Sequence, residues 1–253
     1  MPKNDLFFRK PVMNAAGMLG FALDPRVSLP GLLAGGWADF GAFVTNPLSM
    51  RPRRPAAQPV LLEYPGGMLL HTGLPNPGLT AVVRKYGRRW ASSPLPVIPH
   101  LMVDQPEETG RMVRSLEGME NIAGVELGFA PLMADEIILM AVEYSRGELP
   151  LIVNLPLDRV LSLGARTIQR GAAAISFTPP RGSLPNPQGE PGETIRGRLY
   201  GPGLYPMALD VLHSAAQLGL PVIGGLGVGT VEQVECMLQA GALAVQIDTA
   251  LWL

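Results

Sequence analysis

A single cysteine, Cys236, excludes an internal disulfide and fits a reducing compartment. Beside Met237 and Leu238 it continues a helical apolar pattern, so the thiol reads as buried packing, not as a nucleophile. Three histidines and that cysteine have no metal-ligand spacing, which argues against a metal site. No Gly-x-Ser-x-Gly or P-loop pattern occurs, which removes the usual hydrolase and NTPase signatures. Charged residues make up only 16% of the chain and the formal net charge is -1, so nothing suggests a nucleic-acid partner. The one basic cluster, Arg51-Pro52-Arg53-Arg54, is short and broken by proline, and reads as a solvated loop. No apolar run reaches membrane-spanning length. Phe7-Phe8 is followed at once by Arg9-Lys10, so no signal-peptide core precedes it, and a cytoplasmic protein is expected.

What is present is length and apolar content. With 253 residues and 47% hydrophobic, the chain can bury one large core, and one domain over residues 1–253 is expected. Short apolar runs alternate with longer helical patterns. Eight candidate strands are Val12-Met13-Asn14, Ala42-Phe43-Val44-Thr45, Val97-Ile98-Pro99-His100, Val125-Glu126-Leu127, Leu151-Ile152-Val153-Asn154, Ala174-Ile175-Ser176-Phe177, Val222-Ile223-Gly224 and Val245-Gln246-Ile247. Near-continuous apolar strands are buried on both faces, the mark of a parallel sheet, and this alternation predicts an α/β fold, a (β/α)8 TIM barrel. Helix starts are expected at Asp104 with its following acids, at Pro131 or Asp135, at Pro206 with a stop at Gly219, and at Thr230, whose Gln233 completes a capping box.

Two Pro- and Gly-rich stretches interrupt the alternation, from Asn46 to about Trp90 and from Thr178 to Pro202. Both follow strand C-terminal ends, where barrel active sites lie, and they read as lids or mobile loops. The chain stops at Ala250-Leu251-Trp252-Leu253, directly after the last strand, without the closing helix of a complete barrel. That arrangement is expected to leave apolar surface for a partner, in a homo- or hetero-oligomer covering the C-terminal end.

Several motifs in this order resemble dihydroorotate dehydrogenases, the FMN-dependent barrels of pyrimidine synthesis, nearly end to end. They are Pro11-Val12-Met13-Asn14-Ala15-Ala16-Gly17, Gly41-Ala42-Phe43-Val44-Thr45, and Glu63-Tyr64-Pro65-Gly66-Gly67-Met68-Leu69 with Gly73-Leu74-Pro75-Asn76-Pro77-Gly78. Further along come Gly197-Arg198-Leu199-Tyr200-Gly201-Pro202, Pro221 to Val228, and Ala240 to Gln246. The resemblance implies cofactor contacts at Ala15, Ala16, Gly17, Thr45, Gly197, Gly201, Gly224, Gly225, Gly227 and Thr249. It implies a substrate loop using Gly67, Met68, Leu70, Gly73 and Asn76.

The chemistry departs from the family pattern. Asn46 and Asn154 stand where the resemblance implies lysines supporting flavin and substrate, and asparagine supplies no charge. Ala130-Pro131 stands where a Cys or Ser base is implied, and neither side chain can take a proton. Leu70 and Phe177 replace substrate asparagines, leaving Asn76 as the match. Leu226 replaces a glycine of the phosphate turn after strand seven, and Asp248 replaces a glycine of the turn after strand eight, where a carboxylate would repel a phosphate. Arg198 replaces a glycine near the flavin and either fills the ring site or neutralises Asp248.

A catalytically degenerate family member, serving as a structural or regulatory subunit of a complex without bound FMN, is therefore the leading expectation. The alternative is a divergent FMN-dependent oxidoreductase of CH-CH type with a substrate other than dihydroorotate. A repurposed barrel with non-flavin chemistry would draw on Thr45, His71, His100, Glu126, Thr178, Tyr200 and Asp248. In plainer terms, His100 is a hydrogen-bonded core histidine, Glu126 pairs with a nearby arginine or amide, and His71 is solvated.

Overall fold

The computed structural model describes residues 6–26 and 35–252, so Leu253 of the terminal run lies outside the described residues. The elements, in chain order, begin with strands β1 (Val12–Asn14), β2 (Phe43–Val44), β3 (Leu61–Tyr64) and β4 (Gly67–Leu70). Helix α1 (Leu79–Ala91), strands β5 (Val97–Ile98) and β6 (His100–Val103), helix α2 (Pro106–Arg114) and strand β7 (Val125–Phe129) follow. Next are α3 (Asp135–Tyr144), β8 (Leu151–Pro156), α4 (Leu157–Gln169), β9 (Ala174–Thr178), β10 (Arg181–Pro185) and β11 (Thr194–Tyr200). The last are α5 (Tyr205–Gln217), β12 (Val222–Gly225), α6 (Val231–Gln239) and β13 (Ala244–Ile247).

Seven strands form one curled parallel sheet in the order β1-β13-β12-β9-β8-β7-β6. The remaining seam is spanned by β2, which pairs parallel with β5 and bridges to β1 through Met13 and Ala42. Asn14 stitches that seam where the ladder is thin: its Nδ2 donates to the Val44 carbonyl at 2.6 Å, and its Oδ1 accepts from the Val44 N–H at 3.0 Å. The result is a (β/α)8 barrel short of its full helix complement. Among the described residues six α-helices flank it, and only a 3-10 turn, Thr249–Leu251, follows β13. Along β13 and β1 the outer apolar side chains are covered, with Val245 and Ile247 fully buried and Val12 nearly so, while Leu243 and Trp252 at the ends of that segment stay exposed.

Strand alternation sorts the side chains into layers, because successive residues face opposite sides. Outward-facing Phe43, Leu127, Val153, Ile175 and Val245 pack beneath the helices, and the inward set Met13, Val44, Ile98, Ile152, Ala174, Ile223 and Ala244 forms a second apolar cluster inside the barrel. Two residues further along the same strands, the inward positions turn polar: His100, Asn154, Ser176 and Gln246, joined by Glu126.

The capping box at Thr230 and Gln233 is present, α3 starts at Asp135, and α5 ends two residues before Gly219, whose φ is +69°. Helix α2 begins at Pro106, not at Asp104, since the proline ring presets the first helical φ and needs no N–H.

Both Pro- and Gly-rich stretches are ordered, which corrects their reading as loops. The first holds the β3–β4 hairpin and α1, whose Leu79, Val82, Val83, Tyr86 and Trp90 follow a helical stripe. The second is the β10–β11 hairpin, and β11 pairs antiparallel with β4, so both stretches join in one four-stranded sheet over the mouth of the barrel. Gly201 allows that junction: a Cβ there would meet the Gly66 carbonyl oxygen at 2.3 Å. Cys236 is another correction, for it is exposed on α6, beside the half-buried Tyr205.

Candidate functional site

Glu126 is the hub of the polar layer. It is buried, and its carboxylate accepts from His100 Nδ1 at 2.6 Å, Ser176 Oγ at 2.6 Å and Gln246 Nε2 at 2.8 Å. Burial favours the neutral acid, but the His100 contact and the Ser176 and Gln246 hydrogen bonds prevail and hold the Glu126 pKa below its ordinary value. The partner of Glu126 is thus a histidine together with an amide and a hydroxyl. With the carboxylate on Nδ1, the other ring nitrogen of His100 points away. It lies so close above Gly128 that a Cβ there would come within 2.2 Å of Nε2.

Asn154 extends the same network. Its Nδ2 donates to Ser176 Oγ at 2.9 Å, and its Oδ1 accepts from Thr178 Oγ1 at 2.6 Å. Asn46 is committed elsewhere, with its Oδ1 accepting from the Gly20 N–H at 3.0 Å while its own N–H donates to the Gly20 carbonyl at 2.7 Å. Buried Thr45 donates to the Asn46 carbonyl at 2.9 Å and accepts from the His100 N–H at 3.1 Å.

Beyond strands β12 and β13 the backbone forms an amide cradle, and Asp248 occupies it. Its Oδ2 accepts from the Gly227 N–H at 3.0 Å, and its Oδ1 accepts from the Thr249 N–H at 2.6 Å and from Thr249 Oγ1 at 3.3 Å. Burial pushes the Asp248 carboxyl above its usual range, and the cradle hydrogen bonds only partly offset that. Leu226, at φ +73°, holds a left-handed conformation that costs an L-residue with a Cβ. The glycines of these turns have packing reasons of their own: a Cβ on Gly227 would meet the Gly201 carbonyl oxygen at 2.4 Å.

A void bordered by Ala15, Asn154, Phe177, Leu226 and Asp248 measures only about 20 Å³, room for about one water. Arg198 lines this void and also a much larger outer cleft, so its side chain stands between them. Among the described residues no ion pair within 4.0 Å joins Arg198 to Asp248, and its guanidinium instead meets the buried Tyr200 hydroxyl.

The outer cleft is about 400 Å³. It brings together Ala16, Gly17, Asn46, Leu70, Gly73 and Gly197 with the Ala130-Pro131 pair, and its floor includes His100. Gly67, Met68, Gly201, Gly224, Gly225, Gly227 and Thr249 lie off it. Asn76 also lies off it and is consumed by the loop: its Oδ1 accepts from Ser49 N–H and Oγ and from the Gly78 N–H, and its Nδ2 donates to the Leu74 carbonyl. His71 is half-buried at the cleft wall, with Nδ1 2.8 Å from the Arg196 carbonyl oxygen. Sequence reading missed Ser176 and Gln246 as partners of Glu126, and it missed Arg181 and Arg196 on the cleft. Equal strand parity was the available signal for the first pair.

Among the described residues no group of three or more His, Cys, Asp or Glu could hold a metal ion, and no helix is long and apolar enough to cross a membrane. No family model matches the chain. It is similar to the dihydroorotate dehydrogenase B (NAD(+)) catalytic subunit of Geotalea uraniireducens, with 30% identity covering 96% of this chain and 83% of the relative. The catalytic subunits of the same name from Geotalea daltonii, at 30% identity, and Desulforudis audaxviator, at 28%, cover this chain to 96% and 97% and are themselves covered to 83% and 84%. Barrel topology, strand order and similarity over nearly the whole chain agree, and the chain belongs to the dihydroorotate dehydrogenase family.

Proposed function

We propose that this chain is a catalytically degenerate member of that family, a barrel of residues 1–253 kept as a structural or regulatory subunit that does not hold FMN at the family's cofactor position. The observation that carries this reading is Asp248: its carboxylate takes the Gly227 and Thr249 amides that a cofactor phosphate would need. A phosphate dianion approaching that cradle would meet a negative group already bound to the donors.

Space argues the same way. Ligand sites of cofactor size run to roughly 300–1,000 Å³, whereas the void beside Asn154 and Leu226 is about 20 Å³. The residues present do not fit FMN there.

The chemistry around the cleft supports the reading further. Ala130 and Pro131 stand at its edge and offer no proton acceptor. Asn46 and Asn154 are uncharged, and their amides serve Gly20 and the Ser176–Thr178 network. The relatives are named as catalytic subunits, which supports membership of a complex in which this chain supplies scaffold or regulation.

The test is turnover. Purified protein with added FMN is assayed for dihydroorotate oxidation with an artificial electron acceptor, alongside the Asn46→Lys/Asn154→Lys double variant. Neither is expected to turn over, because the base is still missing and the cradle is still filled. Dihydroorotate-dependent reduction of the acceptor by the wild-type chain would overturn the proposal.

A further inference from the structure

We propose that the outer cleft binds a small organic anion carrying two acidic groups on an apolar body, with Arg181, Arg196 and Arg198 gripping the acids. This goes beyond the reading above, which concerns what the barrel has lost.

The three arginines are placed together by the hairpin. In the antiparallel β10–β11 pair, Arg181 lies directly opposite Arg198, and Arg196 lies opposite Ser183. Arg196 and Arg198 are two residues apart on one strand and so share a face. All three line the cleft. Like charges directly opposite on a sheet destabilise it, and ordinary proteins place an acid nearby to relieve them. Here every ion pair within 4.0 Å among the described residues uses other cations. Burial, then the charges of Arg198 and Arg196, press the Arg181 pKa below its ordinary value. No carboxylate within 4.0 Å among the described residues neutralises the cluster.

A guanidinium presents a planar fork of donors that matches a carboxylate or phosphate edge. Three of them outnumber the acids lining the cleft, where Asp104 stands exposed and Arg53 adds a further cation. Apolar lining comes from Met18, Met102 and Phe129, and from Leu70, which pairs directly with Arg198 across β4 and β11. His100 also lines the cleft, its ring fixed by Glu126. A concave site of about 400 Å³ suits a small molecule with a charged end and an apolar body, not an extended polyanion.

The experiment is calorimetric titration of the full chain with phthalate, benzoate and inorganic phosphate at low and raised salt. Phthalate is expected to bind saturably, more tightly than the other two, and more weakly as salt rises. Arg181→Ala and Arg198→Ala are each expected to weaken it about tenfold, the size of one charge-assisted hydrogen-bonding contact. The unliganded Arg181→Ala protein is expected to melt no lower than wild type, since a like-charge pair has been relieved, which separates recognition from folding. Absence of saturable binding by any of the three at millimolar concentration would overturn the proposal, as would unchanged affinity in a folded Arg181→Ala protein. Benzoate or phosphate binding as tightly as phthalate would overturn the two-acid, apolar-body form of it. None of these outcomes depends on whether FMN binds.

Discussion

The Asp248 carboxylate reaches across 21 residues of sequence to accept the Gly227 N–H at 3.0 Å, while its other oxygen accepts the Thr249 N–H of its own turn. One side chain thereby ties the turn after β12 to the turn after β13 and satisfies amides that would otherwise face a void. Asp248→Ala is expected to lower stability by about 1–3 kcal/mol, the cost of leaving buried donors unpaired. Urea midpoints of the two proteins measure it.

The same geometry yields a gain of function. Arg198, Leu226 and Asp248 each border the small void, and each stands where the resemblance implies a glycine. The triple variant Arg198→Gly/Leu226→Gly/Asp248→Gly is expected to acquire FMN affinity, because it opens the ring space, releases a leucine from φ +73° and frees the cradle amides. Flavin fluorescence quenching on titration reads the result, and Asp248→Gly alone is expected to fall short because two side chains still fill the void.

Glu126 and Asp248 titrate with opposite consequences. The folded-state pKa of Glu126 is held below its unfolded value, so its contribution is present above the ordinary value of about 4.3 and is lost as pH falls through the lowered one. Asp248 is pushed up by burial, so its contribution is complete below about 3.9 and is lost as pH rises through the raised value. Glu126→Gln is expected to reduce the acid-side fall in the urea midpoint between pH 5 and 3, roughly the range in which carboxylates titrate. Asp248→Asn is expected to flatten the decline above pH 4, about where an unfolded aspartate ionises.

Gly128 lies beneath the His100 ring, and an added Cβ would sit 2.2 Å from Nε2. The ring cannot move aside freely, because Nδ1 is held by Glu126 at 2.6 Å. Gly128→Ala is therefore expected to cost about 1–3 kcal/mol, as overpacking does, and to break the histidine–glutamate contact. A lowered thermal midpoint together with a changed His100 side-chain NMR signal would register both.

Much of this architecture was legible in the sequence. All eight barrel strands were placed from apolar runs, because burial on both faces leaves a signature that does not depend on partners. Helix α1 was missed although Leu79, Val82, Val83, Tyr86 and Trp90 carry a helical stripe, since the surrounding prolines and glycines dominated the reading of that stretch. The β10–β11 hairpin was missed for a different reason. Its strands are stabilised by β4, more than a hundred residues earlier, and no local pattern announces that pairing.

The site divided along the same line. Departures from what the resemblance implies, such as Asn46, Ala130 and Asn154, are properties of single positions and were visible at once. What replaced them was not. Asp248 read as a charge that would repel phosphate, whereas its capture of the cradle amides depends on the approach of two turns. Ser176 and Gln246 converge on Glu126 from 50 and 120 residues away, which only the closed barrel arranges.

The visible absorption spectrum of the freshly purified protein, taken before and after desalting with added FMN, tests the closed cofactor place most directly. A colourless protein that leaves all added FMN in the small-molecule fraction is the expected result. A flavin band that survives desalting would contradict the account, since the cofactor would then have displaced Asp248 from its own cradle.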